Sequence, residues 1–518
     1  MWGHDESKIS IPEFYKNKNV FVTGATGFIG KLLVEKLLRS CSGVKKIYVL
    51  IRPRHGKSPQ ERMKEATDDP LFDTIRKENS EALNKIIPIS GDIEKINFGL
   101  SETDKATIIE NVTIIFHSAA SIRFDDPLKK AVFVNVRSAR EIMLLAGQLK
   151  KIDAFAYVST AYSNCDRLIV EEKLYPPKIH WKDIIRLVEE YDEVTLQHLG
   201  HKLIYPMPNT YVFTKALAEH AVMELAKDKI PTVILRPTIV FSTYSDPIPG
   251  WLDNINGTAG VLYGVGKGVI RSLWVNMETL GDHVFADSVA KALIIAAWRK
   301  ALSGNTNEVN VYNLATDIGL HMGDIMKFGK ELLARKPLVS YLWPPPKECY
   351  YRHFYVYYFF YILGHILPAI FVDTLLILSR RKPMLWKLQR KIYIAQSFLR
   401  PFMKNSWTFK NENYEELRKS ILPEDSNQFS IMYFGSNNST KIIRECLELY
   451  CEGIRTYLVK DPPFTEANVK KQDRLLLIEK LFKMLLLGLV IYYVFYKTRL
   501  VSSLSGKFNT YYERLNII

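Results

Sequence analysis

Residues 23–30 of the chain read Thr-Gly-Ala-Thr-Gly-Phe-Ile-Gly, and this stretch decides the fold of the N-terminal part. The apolar run Val-Phe-Val at residues 20–22 precedes it and predicts a short buried strand. The stretch leads into residues 31–38, whose apolar side chains recur at helical spacing. This order of strand, glycine turn and helix predicts a dinucleotide-binding unit at the start of a parallel sheet.

The three glycines of this turn have separate tasks in such a unit. Gly24 permits the tight turn, Gly27 lets backbone N–H groups approach a pyrophosphate, and Gly30 lets the helix pack close against the strand. The N-terminus of the helix then favours the anionic phosphates. The Gly-x-x-Gly-x-x-Gly spacing resembles that of the short-chain dehydrogenase/reductase superfamily.

The composition is that of a folded protein with a basic surface. The chain has 518 residues, of which 47% are hydrophobic and 24% charged, and this length allows two or more domains. The net charge of +15 fits an anionic membrane face, a phosphate-rich substrate and cofactor, or a merely solvated surface. No basic run is interleaved with aromatic residues, so we expect no nucleic-acid partner.

Cysteine usage and the N-terminus bear on the cellular compartment. The five cysteines are scattered without a paired metal spacing, so we predict neither a metal site nor a disulfide framework. Residues 1–8 have no apolar core after a basic start, which predicts that the chain carries no cleaved secretory signal. We therefore expect the catalytic part to face the cytosol.

Arginines follow the second predicted strand, residues 46–51. Arg52 and Arg54 stand where an Asp or Glu would bind the ribose hydroxyls of NAD, whereas arginine accommodates the extra phosphate of NADP. We therefore expect NADPH as the cofactor. The alternative is that one or both arginines are solvated loop residues.

Further predicted strands at residues 86–90, 112–116, 154–158, 232–236 and 308–314 would complete the sheet. Residues that follow such strands are candidates for cofactor contacts: an aspartate for the adenine amino group, small residues over the cofactor, and a Pro-Thr pair beside the nicotinamide. His117 is interpreted as structural. The predicted cofactor contacts are Thr23, Gly24, Thr26, Gly27, Phe28, Ile29, Gly30, Arg52, Arg54, Asp92, Ile93, Ser118, Ala119, Ala120, Tyr211, Lys215, Pro237 and Thr238.

Tyr211 and Lys215 are the chemical centre of the prediction. Their four-residue spacing puts both side chains on one face of a predicted helix, about one turn apart. A tyrosine hydroxyl has a pKa near ~10, so it donates a proton more easily at neutral pH when a nearby ammonium stabilises the phenolate. The position of the Tyr-Lys pair supports a catalytic role, because the pair follows a fifth predicted strand that leads into Ser159 and Thr160.

The order of these motifs resembles that of the alcohol-forming fatty acyl-CoA reductases, over about residues 15 to 461. The matching stretches are residues 23–30, 158–162, 208–215, 235–238 and 249–254, and in the C-terminal part 365–369 with Asp373, 407–409 and 453–457. The resemblance implies an α/β fold, a Rossmann-like doubly wound parallel sheet of the extended short-chain dehydrogenase type. A smaller helical C-terminal domain with a membrane-associating tail follows it.

The resemblance also implies domain boundaries and an activity. The expected parts are an NADP-binding reductase domain with substrate loops at 15–330, a helical domain at 345–465 and a membrane anchor at 474–498. The expected reaction is the NADPH-dependent reduction of a long-chain acyl-CoA to a primary fatty alcohol and free CoA through a bound aldehyde. Tyr211 would donate the proton, Lys215 would tune it, and Thr160 would stabilise the oxyanion. Similarity to related reductases favours Thr160 over Ser159 in that role.

Three alternatives stay open. Reduction could stop at the aldehyde, or the chain could be an enzyme of the sugar-nucleotide epimerase and dehydratase type, which shares the glycine turn and the Tyr-Lys pair. The third alternative is a cofactor-binding membrane scaffold that has lost activity. Whether the chain forms a homodimer is also open.

Two apolar segments suggest membrane attachment. Residues 354–372 are almost long enough to span a bilayer, but Gly364, His365 and Pro368 lie within them, so a buried or interfacial hairpin is as good an interpretation as a span. Residues 484–496 are short for a span, and the residues from 475 onward extend them to a plausible tilted anchor. We expect attachment to the endoplasmic reticulum rather than to a peroxisome or lipid droplet. Residues 515–518 carry no lumenal retention or peroxisomal signal.

Overall fold

The computed structural model describes residues 9–304, 307–316, 320–336, 338–339, 341, 343–346, 349–432, 440–463 and 465–515, with the backbone alone at 440, 482–483, 486 and 498–515. The predicted lack of targeting signals rests on residues 1–8 and on the terminal residues 516–518, which lie outside the described residues.

A parallel sheet of seven strands forms the centre of the N-terminal part. Its strands are β1 (Asn19–Thr23), β2 (Lys46–Ile51), β3 (Ile86–Ser90), β4 (Ile114–His117), β5 (Ala154–Val158), β6 (Thr232–Pro237) and β7 (Asn310–Leu314). The strand order is β7-β6-β5-β4-β1-β2-β3. The order reverses between β1 and β4, and in such sheets the ligand crevice lies at the carboxyl ends of the strands at this point. The predicted doubly wound sheet is confirmed.

Helices cover both faces of the sheet, because its strands are apolar on both sides. The main ones are α1 (Phe28–Ser40), α2 (Ser138–Ala146), α3 (Thr210–Ala226) and α4 (Ala286–Ser303). Helices α1 and α4 pack together on one face, and α2 and α3 pack together on the other. Shorter helices at Ile11–Tyr15, Pro59–Thr67, Asp73–Glu78, Glu102–Asn111, Leu128–Ala131, Trp181–Glu190, Glu193–Ile204 and Thr258–Gly266 surround this core.

The C-terminal part is helical, as predicted. A nearly continuous helix α5 (Phe354–Leu378), with a π-helical turn at Ile362–Ile366, packs against α6 (Leu385–Lys404), and the last helix is α7 (Glu466–Leu515). Further helices of this part are Met322–Arg335, Glu412–Lys419, Ser426–Phe429 and Thr440–Gly453, and a π-helical segment at Ile454–Val459 continues the last of them.

Short strand pairs join the two parts of the chain. Thr408–Phe409 runs parallel to Ile169–Val170, and Tyr350–Tyr351 runs parallel to Leu273–Trp274. Met322–Arg335 packs against Thr440–Gly453, so the helix that crosses the predicted boundary at residue 330 contacts the C-terminal part. The boundaries themselves stay predictions.

Among the described residues, α5 is the one helix that is long and apolar enough to cross a membrane. It has 25 residues, and only 22% of its most apolar window is buried. A shorter apolar helical stretch, Leu487–Lys497, lies within α7.

Candidate active site

The glycine turn between β1 and α1 leaves no room for side chains. Gly24 has a φ of +78°, and a Cβ there would lie 2.7 Å from the backbone nitrogen of Ala119. A Cβ on Gly30 would lie 2.0 Å from the carbonyl oxygen of Gly24. Gly27 precedes the first residue of α1 and offers no side chain to cap its N–H groups. The turn therefore presents backbone donors at a helix N-terminus, which is a site for phosphate.

The other residues of the glycine turn contact neighbouring parts of the protein. Thr23 is fully buried, its hydroxyl lies 2.7 Å from Nδ1 of His117, and the same oxygen accepts from the Ala119 N–H at 3.2 Å. Thr23 therefore ties β1 to the end of β4. Phe28 packs on the ring of Trp251 at 5.4 Å, Thr26 is half-buried, and Ile29 packs partly against the core.

His117 is held as a neutral structural residue. Burial, with a smaller contribution from the charge of Lys215, lowers its pKa to about 3. Its ring stacks on that of Tyr157 at 5.7 Å. Ser118 and Ala120 are half-buried and Ala119 is buried, so these three residues form a narrow wall beside the glycine turn.

Three arginines gather at the carboxyl end of β2. Arg52 is 44% exposed, and its Nη1 lies 3.1 Å from Oε1 of Glu94 and 3.5 Å from Oδ2 of Asp92. Arg54 is exposed, and Arg62 donates to the carbonyl oxygen of Arg52. Burial, and then the charges of Arg54 and Arg52, lower the pKa of Arg62. The three side chains place positive charge at this end of the sheet, and Asp92 and Glu94 offset part of it.

Sequence reasoning did not find Arg62. A signal was present, since Arg62 is a basic residue on the first turns of the helix that follows Arg54, at Pro59–Thr67. Asp92, the predicted partner of adenine, accepts from the backbone N–H of Glu94 at 3.0 Å, and Ile93 packs partly against the core.

At the other end of the crevice, Thr160 and Tyr211 meet. Thr160 follows β5, and Tyr211 lies in the first turn of α3, which Asn209 caps by accepting from the Val212 N–H at 3.0 Å. Burial raises the pKa of Tyr211 to about 12, although a hydrogen bond with the Thr160 side chain lowers it. The phenol is therefore protonated at neutral pH and can donate.

Lys215 lies one turn further along α3 and is buried. Its Nζ donates to the carbonyl oxygen of Val158 at 2.6 Å and to the Tyr157 hydroxyl at 3.2 Å. Burial lowers the pKa of Lys215 to about 7, and the nearby charge of Glu219 acts in the opposite direction. The ammonium is thus held at the end of β5, where a small change in its surroundings changes its charge near neutral pH.

The hydroxyl of Ser159, the neighbour of Thr160, belongs to a different hydrogen-bond network. Ser159 donates to Oε1 of Glu219 at 2.5 Å, and Arg236 at the end of β6 binds both oxygens of that carboxylate at 2.9 and 2.6 Å. Both charged side chains are almost fully buried. Sequence reasoning missed this pair, although Tyr211, Lys215 and Glu219 recur every four residues and so share one face of α3.

Pro237 and Thr238 follow Arg236 at the end of β6. Thr238 is buried, and its hydroxyl donates to Oδ1 of Asp282 at 3.0 Å. The Thr238 hydroxyl is therefore already hydrogen-bonded within the protein. Toward a ligand, Thr238 contributes its position at the edge of the crevice.

Aromatic rings from distant parts of the chain lie beside Tyr211. The ring of Phe124 lies 5.7 Å from that of Tyr211, and Phe402 of α6 lies 5.5 Å from Phe124. Phe402 and Trp407 also pack on Tyr162, at 5.2 and 5.5 Å. The C-terminal part therefore supplies an apolar wall to the site, and no local pattern signals this because the rings are far apart in sequence.

Cys165 does not have the surroundings of a nucleophile. Burial raises its pKa to about 12, and its carbonyl oxygen accepts from the indole N–H of Trp407 at 3.1 Å. A thiol with a raised pKa is a poor nucleophile.

The chain resembles known proteins over most of its length. Two family models, both described as "Male sterility protein", match residues 22–293 (an NAD-binding model) and 364–461 (the Sterile model). Human "Fatty acyl-CoA reductase 1" is 37% identical over 455 residues, covering 88% of this chain and 87% of that protein. "Fatty acyl-CoA reductase wat" of Drosophila melanogaster is 35% identical over 479 residues, covering 91% of this chain and 90% of that protein.

Solved structures share the fold at lower identity. The reductase domain of a nonribosomal peptide synthetase from Mycobacterium tuberculosis has a TM-score of 0.57 at 17% identity, covering 87% of this chain and 93% of that one. The terminal R domain of the myxalamid biosynthetic pathway has a TM-score of 0.55 at 19% identity, covering 85% and 91%. From the two family models and the identity to these relatives, the chain belongs to the fatty acyl-CoA reductase family.

Proposed function

We propose that the protein reduces long-chain fatty acyl-CoA to the primary fatty alcohol and free CoA, with NADPH as the reductant. The observation that carries the proposal is the hydrogen bond between Thr160, at the end of β5, and Tyr211, with the buried Nζ of Lys215 held at the end of the same strand, 2.6 Å from the Val158 carbonyl oxygen. Thr160 and Tyr211 are two donors that can meet one substrate oxygen. The family names support the acyl-CoA substrate.

The glycine turn and the three arginines fit the cofactor. A Cβ at Gly24 or Gly30 would clash with the neighbouring backbone, so glycine permits the tight turn whose backbone N–H groups suit a cradle for the pyrophosphate. Arg52, Arg54 and Arg62 would hold the 2′-phosphate that distinguishes NADPH from NADH. Once bound, NADPH supplies hydride, and each turnover uses two hydrides and two protons: the acyl group takes up both hydrides and one proton, and the CoA thiolate takes up the other proton.

In the first reduction the thioester carbonyl becomes an oxyanion. The Tyr211 and Thr160 hydroxyls would donate to this oxygen, and such preorganised donors stabilise negative charge that develops in the transition state. Collapse of the intermediate breaks the C–S bond, the CoA thiolate leaves, and the acyl group becomes an aldehyde. No acyl-enzyme on a cysteine is needed.

In the second reduction the aldehyde oxygen becomes an alkoxide. Tyr211 would transfer its proton to this oxygen and would be reprotonated from solvent before the next turnover. Lys215 would stabilise the phenolate in between by its positive charge and hold the nicotinamide ribose. The Glu219 carboxylate favours the charged form of Lys215, so it would act as a positioning residue.

The apolar features of the C-terminal part suit an acyl chain and a membrane. Phe402 and Phe124 would line the path of the chain next to the reacting carbon. Helices α5 and α7 would attach the protein to the endoplasmic reticulum, with the catalytic part in the cytosol.

The test is to incubate membranes that contain the full chain with NADPH and acyl-CoAs of medium to very long chain, and to identify the products by mass spectrometry. We expect fatty alcohol and free CoA, and a loss of about 100-fold or more in rate for Tyr211→Phe, because this variant keeps the ring and removes the proton donor. Aldehyde as the sole product would mean that reduction stops after two electrons. Product formation that Tyr211→Phe leaves unchanged would contradict the role of Tyr211.

A further inference from the structure

Helix α5 carries polar side chains on the face that it turns toward the protein. Tyr357, Tyr361, His365 and Asp373 follow each other at multiples of four residues and are all buried. A regular helix would rotate such a row by ~40° every four residues. The wider π-helical turn at Ile362–Ile366 takes up part of this rotation and keeps the row on one side.

Each of these polar groups has a partner inside the protein. The Tyr357 hydroxyl donates to Gln396 at 3.0 Å, and Nε2 of His365 accepts from the backbone N–H groups of Arg271 and Ser272, both at 3.0 Å. Asp373 accepts three backbone N–H bonds from residues 384–386, at 2.8 to 3.0 Å. His365 therefore fastens α5 to residues 271–272, and Asp373 fastens it to the start of α6.

The opposite face of α5 is apolar and exposed. Its large side chains include Tyr355, Phe359, Leu363, Leu367, Phe371 and Leu378, which are 44% to 85% exposed. A continuous face of this kind is rare on a soluble monomer, because moving each such side chain out of water lowers the free energy of the system.

Cationic side chains lie next to this apolar face. Arg380, Arg381 and Lys382 follow the end of α5, and Lys387, Arg390 and Lys391 lie on the first turns of α6, all exposed. Exposed arginine and lysine next to an apolar face suit the headgroups of an anionic leaflet.

The tail helix α7 is fastened at the same place. Arg271, whose backbone N–H binds His365, also donates through Nη2 to Oε1 of Glu479 in α7 at 2.7 Å. The indole N–H of Trp343 donates to the other oxygen of Glu479 at 2.9 Å. The apolar stretch of α7 therefore leaves the body next to α5, so a membrane that takes up one of them lies within reach of the other.

We propose that α5 lies in the plane of one leaflet of an anionic membrane, with its apolar face in the lipid and its polar row on the protein, and does not cross the bilayer. A crossing would remove His365 from the backbone N–H groups of Arg271 and Ser272 and place it in hydrocarbon, where polar groups without partners are costly. The proposal rests on the membrane attachment proposed above and is independent of the reductase chemistry.

The first test is the sidedness of the two ends of α5 in the full chain. Arg352→Cys and Ser379→Cys are placed one at a time in the protein in sealed microsomes and reacted with a membrane-impermeant maleimide, with the unaltered chain as background for its natural cysteines. We expect both to react from the same side of the membrane. If one reacts only after detergent opens the vesicles, α5 crosses the bilayer and the proposal is wrong.

The second test asks what covers the apolar face. The full chain is reconstituted in phosphatidylcholine vesicles that contain phosphatidylserine, with an environment-sensitive fluorophore on Leu367→Cys or, as the matched control, on Leu168→Cys, which replaces an exposed leucine of the reductase part. Brominated lipids should quench the fluorophore at 367 and leave that at 168 unquenched. A fluorophore at 367 that is shielded from water but not quenched would mean that a second copy of the chain covers this face, which would overturn the proposal.

These outcomes are separable from the proposed function. Alcohol formation by the same membranes tests the chemistry, and retention after an alkaline wash tests the attachment. The labelling pattern alone tests the placement of α5.

Discussion

The two ends of the cofactor crevice are built in opposite ways. At the catalytic end, Thr160 and Lys215 are buried, and each is held by hydrogen bonds to the ends of strands or helices. At the other end, Arg52 and Arg54 are exposed on a loop, and Arg52 is 44% accessible to solvent. The first end has one geometry before any ligand arrives, whereas the second can rearrange around a ligand.

We therefore expect the two ends of the crevice to control different properties of the reaction. A group that donates to a developing charge must be in place before the reaction, and low dielectric surroundings strengthen its effect. Exposed cations act in water and are screened by salt, so they contribute affinity and cofactor preference rather than rate.

The adjacent hydroxyls at the end of β5 separate catalysis from stability. Thr160→Val keeps the shape and removes the hydroxyl, so we expect kcat to fall about 100-fold, as for the loss of one oxyanion donor. Ser159→Ala removes a donor to Glu219, so we expect kcat to change little and the free energy of unfolding to fall by about 1–3 kcal/mol. Steady-state kinetics and urea unfolding measure the two quantities. An equal loss of kcat in both variants would contradict the assignment to Thr160.

The arginine cluster should control cofactor preference. Replacing Arg52 and Arg54 together with alanine should raise the Michaelis constant for NADPH about tenfold, since exposed charge-assisted bonds to a phosphate are lost. The constant for NADH in the same variant serves as the control and should stay nearly unchanged. Arg62→Ala should shift the preference in the same direction by a smaller factor. Equal effects on both cofactors would mean that these arginines do not meet the 2′-phosphate.

Salt should distinguish the two ends in the unaltered protein. The Michaelis constant for NADPH should rise several-fold between low and high ionic strength, because exposed charges are screened within about 10 Å at 0.1 M salt. The kcat of the buried catalytic end should change little over the same range. The double arginine variant should lose most of the salt dependence. A salt effect that persists in that variant would locate the responsive charges elsewhere.

Lys215 should make the buried end sensitive to pH. Its pKa is about 7 in the folded protein and near ~10.4 in an unfolded chain, so between these values the unfolded chain binds more protons. Stability from this residue therefore rises with pH across that window, by up to about 1 kcal/mol per pH unit. Compared with Lys215→Met, the unaltered protein should gain free energy of unfolding between pH 7 and 10. Parallel curves for the two proteins would mean that Lys215 is not depressed in pKa.

Local patterns predicted most of the sheet. The predictions for residues 46–51, 86–90 and 154–158 coincide with β2, β3 and β5, because buried parallel strands are short apolar runs bounded by turns. The strand predicted at 112–116 is found at Ile114–His117, and the one at 308–314 at Asn310–Leu314. Strand ends shift because the pairing of neighbours, not the run itself, decides where hydrogen bonds stop.

The candidate site was predicted in part. Thr160 and Tyr211 meet, and Lys215 lies one turn further along α3 at the end of β5, because the ends of parallel strands and the helix that packs on them share one edge of the sheet. Their catalytic roles stay predictions. The partners of these residues were not predicted. Glu219 binds Arg236 across 17 positions, and Phe402 reaches Phe124 from another part of the chain.

The sequence by itself determined the strand, glycine turn and helix at residues 19–40, and the shared helical face of Tyr211 and Lys215. Both follow from neighbours within one or two turns, where backbone geometry fixes the relation between side chains. Only the tertiary structure decided that Ser159 serves Glu219 while Thr160 meets Tyr211, and that His365 and Asp373 of α5 turn toward the protein. A hydroxyl or an imidazole binds whichever partner the packing brings within about 3 Å, and those partners lie far away along the chain.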